Sequence, residues 1–142
     1  MNLIIIDGLS YALPLLIIAI GGIYSERSGI TNLALEGLLG FGAFTGGLFL
    51  ALASGWFSSG SQLPMYLAFL FAAIGGGIYA MLHALLCIKF KANQVISGVV
   101  VNILSVALTS FLTSQINASV FNNPSNKFAF AVSPRITVPV LS

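Results

Sequence analysis

Apolar residues run in four long blocks, separated by short polar interruptions. The first block covers 3–24, with Leu9 to Tyr24 as its continuous part; the others cover 30–53, 63–88 and 95–116. A helix needs ~20 residues to cross a hydrocarbon core of about 30 Å at 1.5 Å per residue, so each block is long enough to span a membrane. The fold class this predicts is all-α, a polytopic transmembrane helical bundle of about four spans. Pro14 is expected near the start of the first helix, where proline is tolerated best. After Ile116 the pattern changes. The tail 117–142 is mixed, with a turn cluster at Asn122-Asn123-Pro124-Ser125-Asn126 and further prolines at Pro134 and Pro139, and it reads as extramembrane.

Composition reinforces this picture. Charged residues make up 6% of the 142-residue chain and apolar residues 58%, whereas a soluble domain carries about 25% charged residues to face water. The acids are Asp7, Glu26 and Glu36; the bases are Arg27, Lys89, Lys91, Lys127 and Arg135. Phosphate binding needs many bases on one face, so the chain carries no nucleic-acid footprint. A single cysteine, Cys87, forms no internal disulfide and no cysteine-rich metal site. The N-terminus lacks a basic region and a small-residue cleavage motif before Ser25, and the first block reads as retained. Bases next to span ends set orientation. Arg27, Lys89 and Lys91 lie in the first and third connections, which are therefore expected in the cytoplasm, with both termini outside.

Helices in lipid associate through small residues and hydrogen bonds. In the third block Ala68, Ala72, Gly76, Ala80 and Ala84 recur every four residues and form one smooth ridge; in the second, Gly42 and Gly46 form a G-x-x-x-G pair. In the fourth, Gly98, Asn102, Ser105 and Thr109 share one helical face. Two roles fit this polar stripe: interhelical glue, or the lining of a polar path. Glu36 lies about two turns into the second block, with Asn32 one turn earlier on the same face. An ionisable group inside a membrane signals a pathway or relay. The alternative is a loop or broken helix over Gly29–Glu36 that leaves the carboxylate near water. His83 fits either a proton relay or a packing residue. No catalytic motif, metal-ligand set or nucleotide-binding loop appears, so no cofactor and no enzyme activity is expected.

Two stretches carry a family resemblance. Gly21-Gly22-Ile23-Tyr24-Ser25-Glu26-Arg27-Ser28-Gly29-Ile30-Thr31-Asn32-Leu33-Ala34-Leu35-Glu36-Gly37 and Lys91-Ala92-Asn93-Gln94-Val95-Ile96-Ser97-Gly98-Val99-Val100-Val101-Asn102-Ile103-Leu104 resemble two blocks of bacterial ABC-importer permeases for nucleosides and simple sugars. The resemblance covers most of this chain and about half of such a permease, so the chain looks like an N-terminal half. It implies a bacterial inner-membrane subunit that pairs with a second permease subunit, a cytoplasmic ATPase and an extracytoplasmic substrate-binding protein. It makes Asn32, Glu36 and Asn102 candidates for the substrate path, with Ser105 and Thr109 continuing the stripe. Gly42, Gly46, Ala72, Gly76 and Ala80 remain packing positions. Glu26, Arg27, Lys89 and Lys91 belong to cytoplasmic loops, where an exposed Glu26–Arg27 pair would contribute only about 0–1 kcal/mol. Two rivals use the same residues differently: a small proton-coupled exporter working through Glu36, and an accessory membrane subunit with no path.

Overall fold

A computed structural model of the protein describes residues 2–57 and 61–129. Residues 130–142, with Pro134, Arg135 and Pro139, and residues 58–60 of the second connection lie outside the described residues. The described chain is helical, in the order α1 (Asn2–Arg27), α2 (Leu35–Leu52), α3 (Leu63–Ala84) and α4 (Gln94–Val120). A 3-10 turn, Ala53–Gly55, follows α2, and a π-helical turn, Leu85–Lys89, extends α3. Among the described residues four helices are long and apolar enough to cross a membrane, and the chain is a multi-pass membrane protein.

Three differences from the expected boundaries bear on the fold. α1 begins at Asn2, because the apolar residues from Ile4 onward continue the helix, so Pro14 falls in its interior and removes one intrahelical donor. α4 runs to Val120, four residues beyond the expected 116, where Asn122 takes a left-handed conformation (φ 50°). The third difference matters most. The second block does not become helical at Ile30 but at Leu35.

The physical reason is a specific stop. Gly29 takes φ +85°, a conformation open to glycine without strain. The Gly29 N–H donates to the Glu26 carbonyl at 3.0 Å and the Ile30 N–H to the Ser25 carbonyl at 3.4 Å, the paired bonds of a Schellman termination. The Asn32 side chain then accepts from the Ala34 N–H at 3.0 Å, closing an Asx turn. Residues 28–34 therefore form an irregular link between α1 and α2.

α2 is the central element, with α3 and α4 packed on it and α1 standing almost clear of the rest. The α2–α3 crossing is close because glycines face alanines. A Cβ on Gly46 would lie 2.8 Å from the Ala68 carbonyl oxygen and 3.1 Å from the Ala72 Cβ. One on Gly42 would lie 3.0 Å from the Ala72 carbonyl oxygen, and Gly76 packs back on Gly42. The centre is Ala34, Tyr79 and Val101, with Phe41 stacked on Tyr79 at 4.5 Å between ring centroids. Tyr79 donates its hydroxyl to the Val101 carbonyl at 2.8 Å, tying α3 to α4.

Candidate functional site

The irregular link 28–34 carries backbone donors and acceptors that no helix satisfies. Such backbone persists in a membrane only when protein groups satisfy it. α4 supplies those groups. The Gln94 side chain accepts from the Thr31 N–H at 2.7 Å. Asn102 donates its amide to the Leu33 carbonyl at 2.8 Å and accepts from the Gly37 N–H at 2.7 Å. The Ser105 hydroxyl donates to the Gly37 carbonyl at 2.7 Å. Ser25 holds the Ile30 carbonyl at 3.0 Å from the α1 side.

Close approach makes these bonds possible. A Cβ on Gly98 would stand 2.8 Å from the Leu33 Cβ and 3.1 Å from the Ala34 nitrogen. A Cβ on Gly37 would stand 2.8 Å from the Asn102 Oδ1 and 2.9 Å from its Cα. Asn93 starts α4 in the right place by capping it, its side chain accepting from the Val95 and Ile96 N–H groups. Lys91, just before it, has φ 50°, unusual for a residue with a Cβ.

The candidate path residues separate on this geometry. Glu36 is exposed in the first turn of α2, where a carboxylate is favoured by the helix dipole. Together with Asn102, Ile103, Val106 and Ala107 it lines an open groove of about 440 Å³. Asn32 serves the Asx turn, and Ser105 is buried on Gly37. Thr109 bonds back to the Ser105 carbonyl of its own helix at 2.7 Å. His83 is buried between α3 and α4, its Nδ1 3.0 Å from the Ser97 hydroxyl and the Cys87 sulfur 3.7 Å from its Nε2. Glu26 and Arg27 are exposed, and among the described residues no ion pair joins them. Among the described residues no three His, Cys, Asp or Glu side chains converge as a metal site.

Sequence reasoning overlooked Gln94, Tyr79, Thr113 and Asn117 as structural polar groups. A signal for two of them was present: the stripe of α4 continues by fours from Ser105 through Thr109 to Thr113 and Asn117. Asn117 is 3% exposed and donates to the carbonyls of Ser125 (2.6 Å) and Lys127 (2.9 Å). The chain after α4 therefore turns back. Phe128 reaches Phe44 in the middle of α2, with ring centroids 5.9 Å apart.

The two stretches that lock together here, 21–37 and 91–104, are thus one structural unit. Residues 4–138 match the family described as the permease component of the branched-chain amino acid transport system. The chain belongs to this family. It is 38% identical over 112 residues to the nucleoside ABC transporter permease protein NupC of Lactococcus lactis, covering 79% of this chain and 34% of that protein. It is 40% identical over 116 residues to the guanosine ABC transporter permease protein NupQ of Bacillus subtilis, covering 82% of this chain and 35% of that protein. The chain spans about a third of the length of the curated relatives it matches. No solved structure matches it. The interrupted entry to α2 and its contacts with α4 place Glu36 and Asn102 on one open groove.

Proposed function

We propose that this chain is part of a permease subunit of a bacterial ABC importer for nucleosides, contributing one stretch of the translocation path. The observation that carries the reading is the likeness to two permeases named for nucleoside and guanosine transport, over a region that includes both interlocked stretches. A cytoplasmic ATPase, a second permease subunit and an extracytoplasmic substrate-binding protein complete the machine, in the bacterial inner membrane.

In this reading the path runs past the α2–α4 groove. Glu36 and Asn102 face the groove directly. Ser105 stands behind it, where its hydrogen bond to the Gly37 carbonyl holds α4 against α2, while Asn32 shapes the turn before α2 and Thr109 bonds within α4. The irregular link 28–34 leaves Glu36 in the first turn of α2, beside this groove, which supports the reading. The link 28–34 meets Gln94, the first residue of α4 after the third connection, so Arg27, Lys89 and Lys91 gather at one end of the bundle. By the positive-inside rule that end faces the cytoplasm and the ATPase.

The test is uptake of labelled guanosine by the full transporter, reconstituted in proteoliposomes with its ATPase and binding protein. Uptake is expected to be saturable, to require ATP and to stop when the ATPase is disabled. Flux that continued without the ATPase and collapsed with a proton uncoupler would instead identify a proton-coupled exporter.

A further inference from the structure

A second cavity, of about 230 Å³, lies away from the Glu36 groove, between α2, α4 and the returning segment after α4. Its walls are mixed in a particular way. Phe44 of α2 and Phe128 of the returning segment provide two aromatic rings tilted by 37°. Thr113 and Asn126 provide hydrogen-bonding groups beside them. The Thr113 side chain is only 7% exposed, lines the cavity, and has no hydrogen-bond partner among the described residues. No buried side-chain oxygen or nitrogen lacks a partner among the described residues, so the Thr113 hydroxyl opens onto the cavity, where a ligand can bond it. Thr109, on the same wall, is already bonded to the Ser105 carbonyl and adds no free group.

The returning segment is held in place rather than draped. The Asn117 amide grips the carbonyls of Ser125 and Lys127, the two residues that flank Asn126. That clamp fixes where Asn126 and Phe128 stand relative to α4. Pockets for drug-sized ligands measure roughly 300–1,000 Å³, so about 230 Å³ suits a ring-sized fragment rather than a whole extended ligand.

We propose that this cavity is a subsite for the aromatic base of a nucleoside, one face of the base against the tilted pair Phe44 and Phe128 and its polar edge on Thr113 and Asn126. A base has apolar faces and donor–acceptor edges, the combination these walls offer. A simple sugar lacks the aromatic face that would use both phenylalanines. The proposal rests on the nucleoside-importer reading and deepens it.

The experiment measures initial rates of tritiated guanosine uptake by the reconstituted full transporter. Thr113→Val is expected to raise KM about fivefold with little change in kcat, and Thr113→Ser to restore it. Phe128→Ala is expected to raise KM about tenfold, and Phe128→Tyr to stay near wild type. Asn126→Ala, at an exposed position, keeps the test open should the buried variant fail to assemble, with an expected rise of about threefold. Guanosine uptake in which Phe128→Ala and Asn126→Ala leave KM within twofold of wild type overturns the subsite alone. A wild-type transporter that carries ribose or glucose and no nucleoside overturns the nucleoside reading, and this subsite with it.

Discussion

Asn102 makes two bonds to backbone across the α2–α4 junction, one as donor and one as acceptor, a pairing that few other side chains can supply. Asn102→Ala is expected to lower stability by about 1–2 kcal/mol, given modest hydrogen-bond contributions inside membranes. Asn102→Asp retains the acceptor for Gly37 but turns a carboxylate oxygen on the Leu33 carbonyl, so it should not rescue. Thermal unfolding in detergent would rank the variants. Glu36 behaves oppositely, because it is exposed and no partner holds it among the described residues. Glu36→Gln should change stability by less than about 0.5 kcal/mol. If Glu36 lines the path as proposed, the same change should cut guanosine uptake by about tenfold. Equal uptake by wild type and Glu36→Gln would remove this residue from the path.

At the scale of elements, the bundle depends on backbones that approach until a methyl group is too large. Gly98→Ala places a carbon against Leu33 and Ala34, and overpacking of this kind costs about 1–3 kcal/mol. Loosening should appear first in the link 28–34 and the first turn of α2, as faster amide exchange at Thr31 and Gly37. Gly46→Leu is expected to separate α2 from α3, because its Cβ meets the Ala68 backbone and no flexible side chain can move aside. The measurement is hydrogen exchange along both helices. Protection unaltered in that variant would show that the crossing tolerates bulk. Both packing faces could be read in the residue pattern, since small residues every four positions form a ridge whatever lies opposite. That the Gly42–Gly46 face lies against the Ala68–Ala72 ridge could not, because either would serve equally well against any other helix.

For the whole molecule, the bond between Thr31 and Gln94 places the first and third connections at the same end. In a Cys87→Ser background, an impermeant maleimide added to intact cells should label Trp56→Cys and leave Ser28→Cys and Phe90→Cys unlabelled until the cells are opened. Labelling in the reverse sense would invert the proposed orientation. From Asp7 to Arg27 α1 presents its apolar residues outward, and no residue of that span is buried. Its amphipathic signal is correspondingly absent, as expected for a helix surrounded by apolar contacts on every side.

The residue pattern by itself determined that this is a helical membrane protein, how many spans the described chain holds, and which residues are too polar or too small to be casual. Those features are one-dimensional: length against bilayer thickness, charge against lipid, side-chain size against helical period. Only the tertiary structure decided what the polar residues bind. Asn102 and Ser105 meet the start of α2, more than sixty residues away in sequence, and Asn117 meets the segment that returns past it. The distinction between Glu36 at an open groove and Asn32 inside a turn was equally a matter of three dimensions. The stop at Gly29 decides where α2 begins, and so leaves Glu36 in its first turn rather than two turns inside it.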